Sequence, residues 1–353
     1  MSIEFNKHIK IAHHQISEDS PVFIIAEAGV NHNGNMDIAK RLIEIASEAK
    51  VEAVKFQAFK TGNLILQNVL KAPYQQKTTE AKESQFDMLK KLEITLEQNM
   101  MLMEHCKKNG IIFLTTPFDE VSLDELDPLD LPAYKIASTD LTNLPFLKKV
   151  AQKGKPIFLS TGMSYLDEVD LALAEIHPWN KNLVLMQCTA NYPIMNDQAN
   201  LNVLNTYKSH FNVLLGYSDH TTGTGAAAYS IPMGARVVEK HFTLDKTQQG
   251  PDHRASLTPD ELKQFVHQVR TVEMYLGNKI KKPSADELLT RKSLQKCLVA
   301  TCNIKKGQLI TEEMLVAKRT GGVGIPPIHY QKILNRPADK NYVKDDIIQM
   351  PLS

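Results

Sequence analysis

Short apolar runs alternate with helical stretches along most of the chain. The apolar runs are dense in Val, Ile, Leu and Phe and lack strict alternation, which is typical of strands buried on both faces. Eight strands are predicted, at Val22–Gly29, Ala53–Phe59, Ile111–Phe118, Ala133–Ser138, Pro156–Met163, Leu183–Ala190, Val213–Asp219 and Val237–Thr243. Helices are predicted between and after them, at Met36–Lys50, Leu96–Asn109, Leu166–Ile176, Gly223–Gly234 and Pro259–Leu276.

These eight strand-and-helix units indicate the fold class. They occupy about 275 residues, which is the typical length of a (β/α)8 TIM barrel. An open doubly wound sheet is the competing interpretation, but such a sheet binds its cofactor at a glycine-rich first turn. The first turn here, Glu27–Gly34, reads EAGVNHNG and contains no GxGxxG motif. We therefore predict a TIM-barrel catalytic domain over residues 1–280.

The chain changes character after the barrel. Residues 278–290 are polar and rich in lysine, so we predict a linker at 281–292. A small β-rich domain is predicted over residues 293–353, with strand-like pieces at Cys297–Thr301, Gln308–Ile310 and Leu315–Lys318. Within this domain, Asn303–Ile310 (NIKKGQLI) is loosely repeated as Asn341–Ile348 (NYVKDDII), which hints at an internal duplication.

Composition and charge narrow the range of functions. The 353 residues include 41 Lys+Arg and 40 Asp+Glu, and a formal net charge of +1 offers no general attraction to nucleic acid or anionic lipid. The sequence has no run of about 18 apolar residues, and its N-terminus, MSIEFNKHIKIAHHQ, has no signal-peptide core. The four cysteines form no CxxC pair. We therefore expect a cytoplasmic protein with neither nucleic-acid nor membrane partners.

Two lysines stand inside apolar strand runs, Lys55 in AVKFQ and Lys135 in AYKIAS. A buried lysine costs several kcal/mol unless it is paired or faces a polar cavity. Either lysine taken singly also fits a side chain that reaches the barrel rim or pairs with Glu27. Two lysines on separate strands, with Ser and Thr at strand ends, favour a pocket for phosphate and carboxylate. The same lysines are also suited to forming Schiff bases, as in class I aldolases.

His220 and His241 stand at corresponding points of consecutive strand ends, in GYSDH and VEKHFT. Neighbouring strands lie about 4.8 Å apart, so both imidazoles can reach one divalent ion. A histidine at a strand end also serves as an ordinary hydrogen-bonding residue, and both interpretations stay open at this point. Asp219, Glu239 and Asp252 lie nearby and no Cys ligand accompanies them, which favours Mn²⁺ or Mg²⁺ with open positions over a closed zinc site.

Nine ordered motifs carry a resemblance to a known family. They are IIAEAGVNHNG, AVKFQAFK, KAPYQ, FLTTPFD, YKIAS, LSTGM, GYSDHT, VEKHFTLD and GPDHRAS. In this order they resemble the bacterial sialic acid (N-acetylneuraminate) synthase family, and they span the barrel almost end to end. The stretch VATCNIKKGQLITEEMLVAKR resembles the family's C-terminal antifreeze-like (SAF) domain, which implies a SAF domain over residues 293–353.

The resemblance implies a condensation of phosphoenolpyruvate with N-acetylmannosamine, or a close 2-acetamido hexose, and water. The products are a sialic-type nonulosonic acid and phosphate, which leaves through C–O cleavage. A divalent ion, typically Mn²⁺, would be held by His220 and His241 and would polarise the sugar aldehyde. The implied catalytic residues are Glu27, Lys55, Lys135 and Asp140, and the implied substrate-binding residues are Gln57, Thr116, Ser138, Ser160, Tyr192, Ser218, Asp252 and Arg319. Arg319 would reach the acetamido group of the sugar in a partner subunit, which implies a domain-swapped homodimer.

Several departures from the family's pattern affect the sugar half of the implied site. Asp140 (KIASTD) stands where the family usually has Glu, Gln187 stands where His is common, and Ala190 replaces a polar residue. The usual KRPGNG reads KRTGGV at 318–323. The residues implied for phosphoenolpyruvate and the metal match the family's pattern, so only the identity of the acceptor sugar stays open. The alternative acceptor is a 2,4-diacetamido-2,4,6-trideoxy hexose, which would give legionaminic or pseudaminic acid.

Two other functions compete with the synthase. A Schiff-base pyruvate aldolase would use Lys55 or Lys135 as its nucleophile, and borohydride trapping with pyruvate would separate it from a synthase that EDTA silences. A non-catalytic sugar-binding protein with a SAF-like interaction module is a further class. Under that interpretation the two lysines and the two histidines would have no reason to coexist.

Overall fold

The first unit of the structure begins with a hairpin and continues as eight parallel strands. The computed structural model describes residues 3–72, 75–76, 79 and 83–349, so Pro73 and Tyr74 of the KAPYQ motif lie outside the described residues. The hairpin pairs β1 (His8–Ile11) with β2 (His14–Ser17) in antiparallel fashion. The parallel strands are β3 (Phe23–Gly29), β4 (Ala53–Ala58), β5 (Ile112–Pro117), β6 (Tyr134–Ile136), β7 (Ile157–Ser160), β8 (Leu183–Cys188), β9 (Leu214–Asp219) and β10 (Ala235–His241).

The eight parallel strands form a barrel. Their hydrogen-bonded order is β5-β4-β3-β10-β9-β8-β7-β6, and the two end strands, β5 and β6, lie side by side, so the barrel is nearly closed. Among the described residues of this unit, the helices with described bounds are α1 (Met36–Glu48), α2 (Thr61–Leu64), α3 (Gln85–Lys90), α4 (Leu96–Lys108), α5 (Glu120–Glu125), α6 (Leu144–Gln152), α7 (Leu166–Ile176), α8 (Val203–His210), α9 (Ala227–Ser230) and α10 (Pro259–Leu276). The predicted (β/α)8 fold is confirmed.

Local sequence signals explain where two of these helices begin. Thr95 caps α4 and Thr258 caps α10, and in each case the side chain three residues later, Gln98 or Glu261, accepts a hydrogen bond from the backbone N–H of the cap. α10 ends at Leu276, and the next residue, Gly277, has a φ of +56°, which favours glycine. No helix in the described part of the chain is long and apolar enough to cross a membrane.

The interior of the barrel is apolar at the end where the strands begin. Side chains alternate between the inside and the outside of each strand, and the inward residues near the strand starts form one buried cluster with the hairpin. The cluster includes Ile9 and Ile16 from the hairpin together with Phe23, Ala53 and Val237 from the barrel. The hairpin, whose strands are only four residues long, is not predicted from the sequence. Because it fills this end, the open end of the barrel is the one where the strands finish.

Several predicted elements are shorter in the structure, and β7 covers only Ile157–Ser160 of the predicted Pro156–Met163. β6 stops at Ile136, and the predicted continuation to Ser138 is a 3₁₀ turn over Ser138–Asp140. The predicted helix at Gly223–Gly234 is helical only over Ala227–Ser230. Gly223 and Gly225 have φ values of +62° and +65°, outside the helical region, because this segment forms a loop that wraps around Asp219.

The second unit covers Asn278–Ser353. It contains α11 (Ala285–Leu294) and an antiparallel pair formed by β11 (Lys296–Ala300) and β12 (Leu315–Arg319). Its apolar core is built from Leu298, Ala300, Ile304, Ile310, Ile325, Ile333, Ala338, Tyr342 and Ile348. Most of the predicted linker at 281–292 is thus helical, because Ser284 and Glu287 form a capping box, although α11 buries none of its residues. The domain boundaries themselves stay a prediction.

The two similar segments of the second unit pair with each other. Ile304 and Tyr342 exchange backbone hydrogen bonds of 2.8 and 2.9 Å. The side chain of Asn341 accepts from the Lys306 N–H, and that of Asn303 accepts from the Lys344 N–H. These contacts relate the two segments by approximate two-fold symmetry, which supports the hint of a duplication.

Candidate active site

Polar side chains line the barrel interior at the end where the strands finish. In β4, for example, Ala53 belongs to the inner apolar cluster, so Lys55 and Gln57 also face inward, nearer the open end. The inward polar residues contributed by the strands are Glu27, Lys55, Gln57, Thr116, Lys135, Ser160, Ser218, Glu239 and His241, and His220 follows β9 directly. The C-terminal ends of the strands are where TIM barrels carry their active sites.

Lys55 lies at the centre of this polar layer. Its Nζ is 2.8 Å from Oε2 of Glu27, and it donates a hydrogen bond of 2.9 Å to Oγ1 of Thr116. Gln57 donates to the other carboxylate oxygen of Glu27 at 3.2 Å. The pairing of Lys55 with Glu27, which the sequence offers as one alternative, is therefore present, and Lys55 remains inside the barrel at 3% exposure.

Lys135 and Glu239 continue the layer on the other side. Lys135 Nζ donates to Ser160 Oγ at 2.7 Å and to the carbonyl oxygen of Ile136 at 3.2 Å. Glu239 lies between the two lysines, with Oε1 3.6 Å from Lys135 Nζ and Oε2 3.7 Å from Lys55 Nζ. Ser218 donates a 3.0 Å hydrogen bond to Oε1 of Glu239. Two ammonium groups and two carboxyl groups thus alternate in one buried row.

The electrostatics of this row differ from group to group. Burial raises the pKa of Glu27 to about 7; Lys55 opposes that shift, and Glu239 adds to it. Burial disfavours the charge on Lys55, yet Glu239 and Glu27 outweigh it and raise the Lys55 pKa. Burial lowers the pKa of Lys135 in spite of Glu239. For Glu239, burial is outweighed by Lys135 and Lys55, which lower its pKa. Glu239 is therefore the carboxylate of the row that stays ionised, and Glu27 is the group able to exchange a proton near neutral pH.

His220 and His241 lie at the rim, with ring centroids 5.5 Å apart. Nδ1 of His220 is 2.8 Å from the carbonyl oxygen of Thr189, so this nitrogen carries a proton, and Nε2 offers a lone pair whenever the ring is neutral. Burial disfavours the charged ring, but Cys188 and the Thr189 carbonyl outweigh burial and raise the His220 pKa. Tyr192 packs against both rings, with centroid distances of 4.1 Å to His220 and 5.3 Å to His241. Burial, followed by the charge of His220, lowers the pKa of His241 well below its ordinary value, so His241 is neutral.

The donor set at this rim fits a divalent ion. Nδ1 of His241 is buried and has no hydrogen-bond partner among the described residues, and Oδ2 of Asp252 is 3.8 Å away from it. Imidazole nitrogens beside a carboxylate are ordinary ligands for Mn²⁺ and similar ions. Within the described ranges, no group of three or more His, Cys, Asp or Glu has ligand spacing. The two histidines would therefore hold the ion, and water or substrate oxygens would complete its coordination.

Gly29 marks the point where three of the predicted residues converge. A Cβ at this position would lie 3.2 Å from Nε2 of Gln57, 3.3 Å from Oε1 of Glu27 and 3.6 Å from Oδ2 of Asp252. Its φ of +52° also favours glycine. Asp252, which comes from the loop after β10, is thus brought next to residues of β3 and β4. Burial raises the pKa of Asp252 to about 6.

A buried ion pair outside the barrel wall supports the two histidines. Asp219 and Lys240 directly precede His220 and His241, and Lys240 Nζ lies 3.2 Å from Oδ2 of Asp219 at about 1% exposure of each residue. Asp219 also accepts backbone hydrogen bonds from Thr221, Ala226 and Ala227, at 2.9, 2.9 and 3.0 Å. The loop after β9 is thereby folded around the pair. The arrangement fixes the backbone from which His220 projects.

The residues of the implied sugar half are more scattered. Ala190 lies so close to Gly162 that a Cβ on Gly162 would clash with it. The Gly162 N–H donates a 2.9 Å hydrogen bond to Ser138, a residue of the implied phosphoenolpyruvate pocket. Asp140 is buried and is hydrogen-bonded to Thr139 and Asn143 of its own turn. Burial raises its pKa.

Gln187 and Arg319 complete the implied sugar half, and each belongs to a different unit. Gln187 falls on the outer side of β8 with Leu183 and Leu185, so its departure from the family's pattern leaves the interior unchanged. Arg319 is the last residue of β12 in the second unit and is exposed.

The role of Glu239 is not apparent from the sequence. The sequence places it near the histidines but gives no sign that it bridges two lysines from other strands. Its spacing of two residues from His241 does indicate a common side of β10, and this signal makes it a candidate. The Asp219–Lys240 pair has a similar signal, since each residue directly precedes a candidate metal ligand.

Several known proteins resemble this chain. A model of the NeuB family matches residues 42–281. The chain is 45% identical to N,N'-diacetyllegionaminic acid synthase of Campylobacter jejuni, over 92% of this chain and 98% of that protein. It is 41% identical to the Legionella pneumophila protein of the same name, over 90% and 91%. The crystal structure of N-acetylneuraminic acid synthetase from Leptospira borgpetersenii, 32% identical, matches with a TM-score of 0.72 over 82% of this chain and 98% of that chain. The length of the match and its agreement with the barrel and its polar interior show that the chain belongs to the NeuB family.

Proposed function

We propose that the chain condenses phosphoenolpyruvate with an N-acetylated amino sugar and water to give a nonulosonic acid and phosphate. The observation that carries the proposal is the buried row of Lys55, Glu239 and Lys135 directly beneath the His220–His241 pair. Two ammonium groups with nearby hydroxyls suit a substrate that carries both a phosphate and a carboxylate. The histidines suit an ion that would act on a second, uncharged substrate.

The phosphoenolpyruvate pocket is formed by residues from several strands. Lys55 and Lys135 would supply the positive charge, and Thr116 and Ser160, which already hydrogen-bond their Nζ atoms, would turn their hydroxyls to the phosphate or carboxylate oxygens. Ser138 and Ser218 would add further donors. Tyr192 lies over the histidines and would close the side of the pocket. Because Lys55, Thr116, Lys135, Ser160 and Ser218 are held by strands, they are oriented before substrate arrives.

The reaction forms one C–C bond and breaks one C–O bond. C3 of phosphoenolpyruvate bonds to the aldehyde carbon of the open-chain sugar, whose oxygen takes up the proton that Glu27 holds. C2 then captures water, which gives up its first proton to Glu27, and the second proton leaves with the phosphate when the C2–O bond breaks. Glu27 is placed for this exchange by Lys55 and Gln57. A divalent ion such as Mn²⁺, when held by His220 and His241, would polarise the aldehyde.

The acceptor we propose is a 2,4-diacetamido-2,4,6-trideoxy hexose rather than N-acetylmannosamine. The two relatives at 45% and 41% identity both carry the name N,N'-diacetyllegionaminic acid synthase. Asp140 supports the same choice, since it is shorter than the Glu that the family usually has at this position and leaves room for a different sugar. The general reaction is common to both acceptors.

Phosphate release from phosphoenolpyruvate tests the function. The full chain with Mn²⁺ is offered the diacetamido sugar and N-acetylmannosamine in parallel, and EDTA is the control. We expect release with a higher kcat/KM for the diacetamido sugar and none in EDTA. A higher value for N-acetylmannosamine would overturn the choice of acceptor. No release with either sugar, together with a borohydride-trapped pyruvate adduct on a lysine, would replace the synthase by the aldolase.

The C-terminal unit has a proposed role in the same site. We propose that it is a SAF domain and that the partner's Arg319 contacts the acetamido group of the sugar in a domain-swapped homodimer. Mixing Arg319→Ala and His241→Ala subunits tests this arrangement. A mixed dimer contains one site with both residues intact only if Arg319 acts across subunits, so regained activity is expected. Two inactive variants that stay inactive after exchange would contradict it.

A further inference from the structure

Glu239 has contacts that bear on how the site handles anions. It is 4% exposed, accepts a hydrogen bond from Ser218, and lies within 3.7 Å of both lysine Nζ atoms. Its Oε2 has no hydrogen-bond donor among the described residues. On that side Glu239 therefore interacts mainly with the charge of Lys55, whose Nζ is 3.7 Å away. A carboxylate that merely oriented one lysine would be expected to form a direct hydrogen bond with it.

Glu239 offsets part of the positive charge of the row. Lys55 and Lys135 face Glu27 and Glu239, and all four side chains are at most 4% exposed. A pocket that needed only to attract a phosphorylated substrate would be stronger without Glu239. Retaining a buried carboxylate against an anionic substrate is unfavourable for binding, so its presence calls for another benefit.

Product release supplies that benefit. The proposed reaction leaves inorganic phosphate among the same two lysines, and equally tight binding of substrate and product adds nothing to turnover. We propose that Glu239 is an internal counter-anion that weakens phosphate binding to the Lys55–Lys135 pair and so permits release of the product. The role in product release rests on the proposed function, but the weakening of phosphate binding does not. Glu239 acts through the lysines and is therefore a positioning residue.

The Glu239→Gln variant tests the inference directly. Gln keeps the shape and an oxygen for the Ser218 hydroxyl but removes the charge. Binding of inorganic phosphate to the full chain is measured by calorimetry, without sugar. We expect at least about tenfold tighter binding, because one charge within a few ångströms shifts an ionisation equilibrium roughly 10- to 1,000-fold. A residue that only held the lysines in place would leave phosphate binding unchanged or weaker when altered, and either result would overturn the inference.

Two further variants complete the experiment. Glu261→Gln removes the same charge from α10, where the residue pairs with Lys246, and should leave phosphate binding unchanged. Glu239→Asp keeps the charge but draws it back from both lysines, so it should tighten binding by a smaller factor; if Glu239→Gln does not fold, unaltered binding in this variant refutes the idea. In turnover assays the Glu239→Gln variant should show a lower kcat and stronger inhibition by phosphate. Should the unaltered protein bind phosphate yet release none from phosphoenolpyruvate, the proposed function fails while the binding comparison still decides the role of Glu239.

Discussion

The Asp219–Lys240 pair allows a sharp prediction about stability. Lys240→Met removes the ammonium group from a site that is 1% exposed and leaves the Asp219 carboxylate buried. Removing one partner of a buried ion pair costs about 3–5 kcal/mol. Asp219 would still accept hydrogen bonds from Thr221, Ala226 and Ala227, so we expect a loss near the lower end, about 3 kcal/mol in the free energy of unfolding.

The assay can be confined to the barrel. Trp179 is the single tryptophan of the chain and lies in the first unit, so its fluorescence during urea unfolding reports on that unit. For a unit of this size, the expected loss corresponds to a decrease of roughly 6–12 °C in Tm. Lys246→Met is the matched control. Its partner Glu261 is 2.7 Å away, but both side chains are about one-third exposed, so the loss should be at most about 1 kcal/mol.

Equal losses in the two variants would refute the reasoning. They would mean that burial does not distinguish the Lys240 pair from an ordinary surface pair. They would also mean that the loop carrying His220 is held by its backbone hydrogen bonds alone. A large loss for Lys240→Met with unchanged Mn²⁺ binding would separate stability from the positioning of His220.

Three other predictions concern pH, metal and acceptor. Burial, followed by the charge of His253, lowers the pKa of His32 to about 4. As the pH falls from about 6.5 to 4, the unfolded chain therefore binds a proton at His32 that the folded chain does not bind, and the folded state loses stability. His32→Asn keeps an acceptor for the Gly34 N–H and should reduce this acid-side loss by about 2 kcal/mol between pH 7 and 4.5, measured by urea unfolding. An unchanged pH slope would contradict the prediction. His241→Ala should weaken Mn²⁺ binding, followed by electron paramagnetic resonance, by more than about 100-fold, since even residues behind a ligand contribute 10- to 100-fold. The exposed His210→Ala serves as its control and should bind Mn²⁺ normally. Asp140→Glu should move the ratio of kcat/KM values toward N-acetylmannosamine by about tenfold, and no movement would remove Asp140 from the specificity argument.

The barrel strands were predictable because their signal is local. Each predicted run is six to eight residues long and rich in Val, Ile, Leu and Phe, and the observed strands lie within or very near the predicted ones. The boundaries moved where backbone hydrogen bonds came from elsewhere. The predicted helix at Gly223–Gly234 shortened because Asp219 accepts the N–H groups of Ala226 and Ala227. The hairpin at the start of the barrel was not predicted, because its two strands are short and its apolar residues are buried only against the barrel interior.

The site residues likewise divide into features that are local in sequence and features that depend on distant contacts. Lys55, Lys135, His220 and His241 could be selected from the sequence, since a polar side chain inside or at the end of an apolar strand must face a polar space. Their order along the chain also shows which end of the barrel they share. Alternation along each strand is a local property, and the direction of every side chain follows from it.

What surrounds each of these groups was decided only when the barrel closed. Lys55, Lys135 and Glu239 come from β4, β6 and β10, and the distances between them depend on the stagger of the strands around the barrel. Whether a buried lysine meets a carboxylate, a hydroxyl or an empty pocket cannot be read from its neighbours in sequence. The ionisation of Glu27 and Glu239 depends on these long-range distances, because the Coulomb interaction in a buried site changes steeply over a few ångströms. The sequence therefore identifies most residues of the site, whereas their ionisation states depend on the tertiary structure.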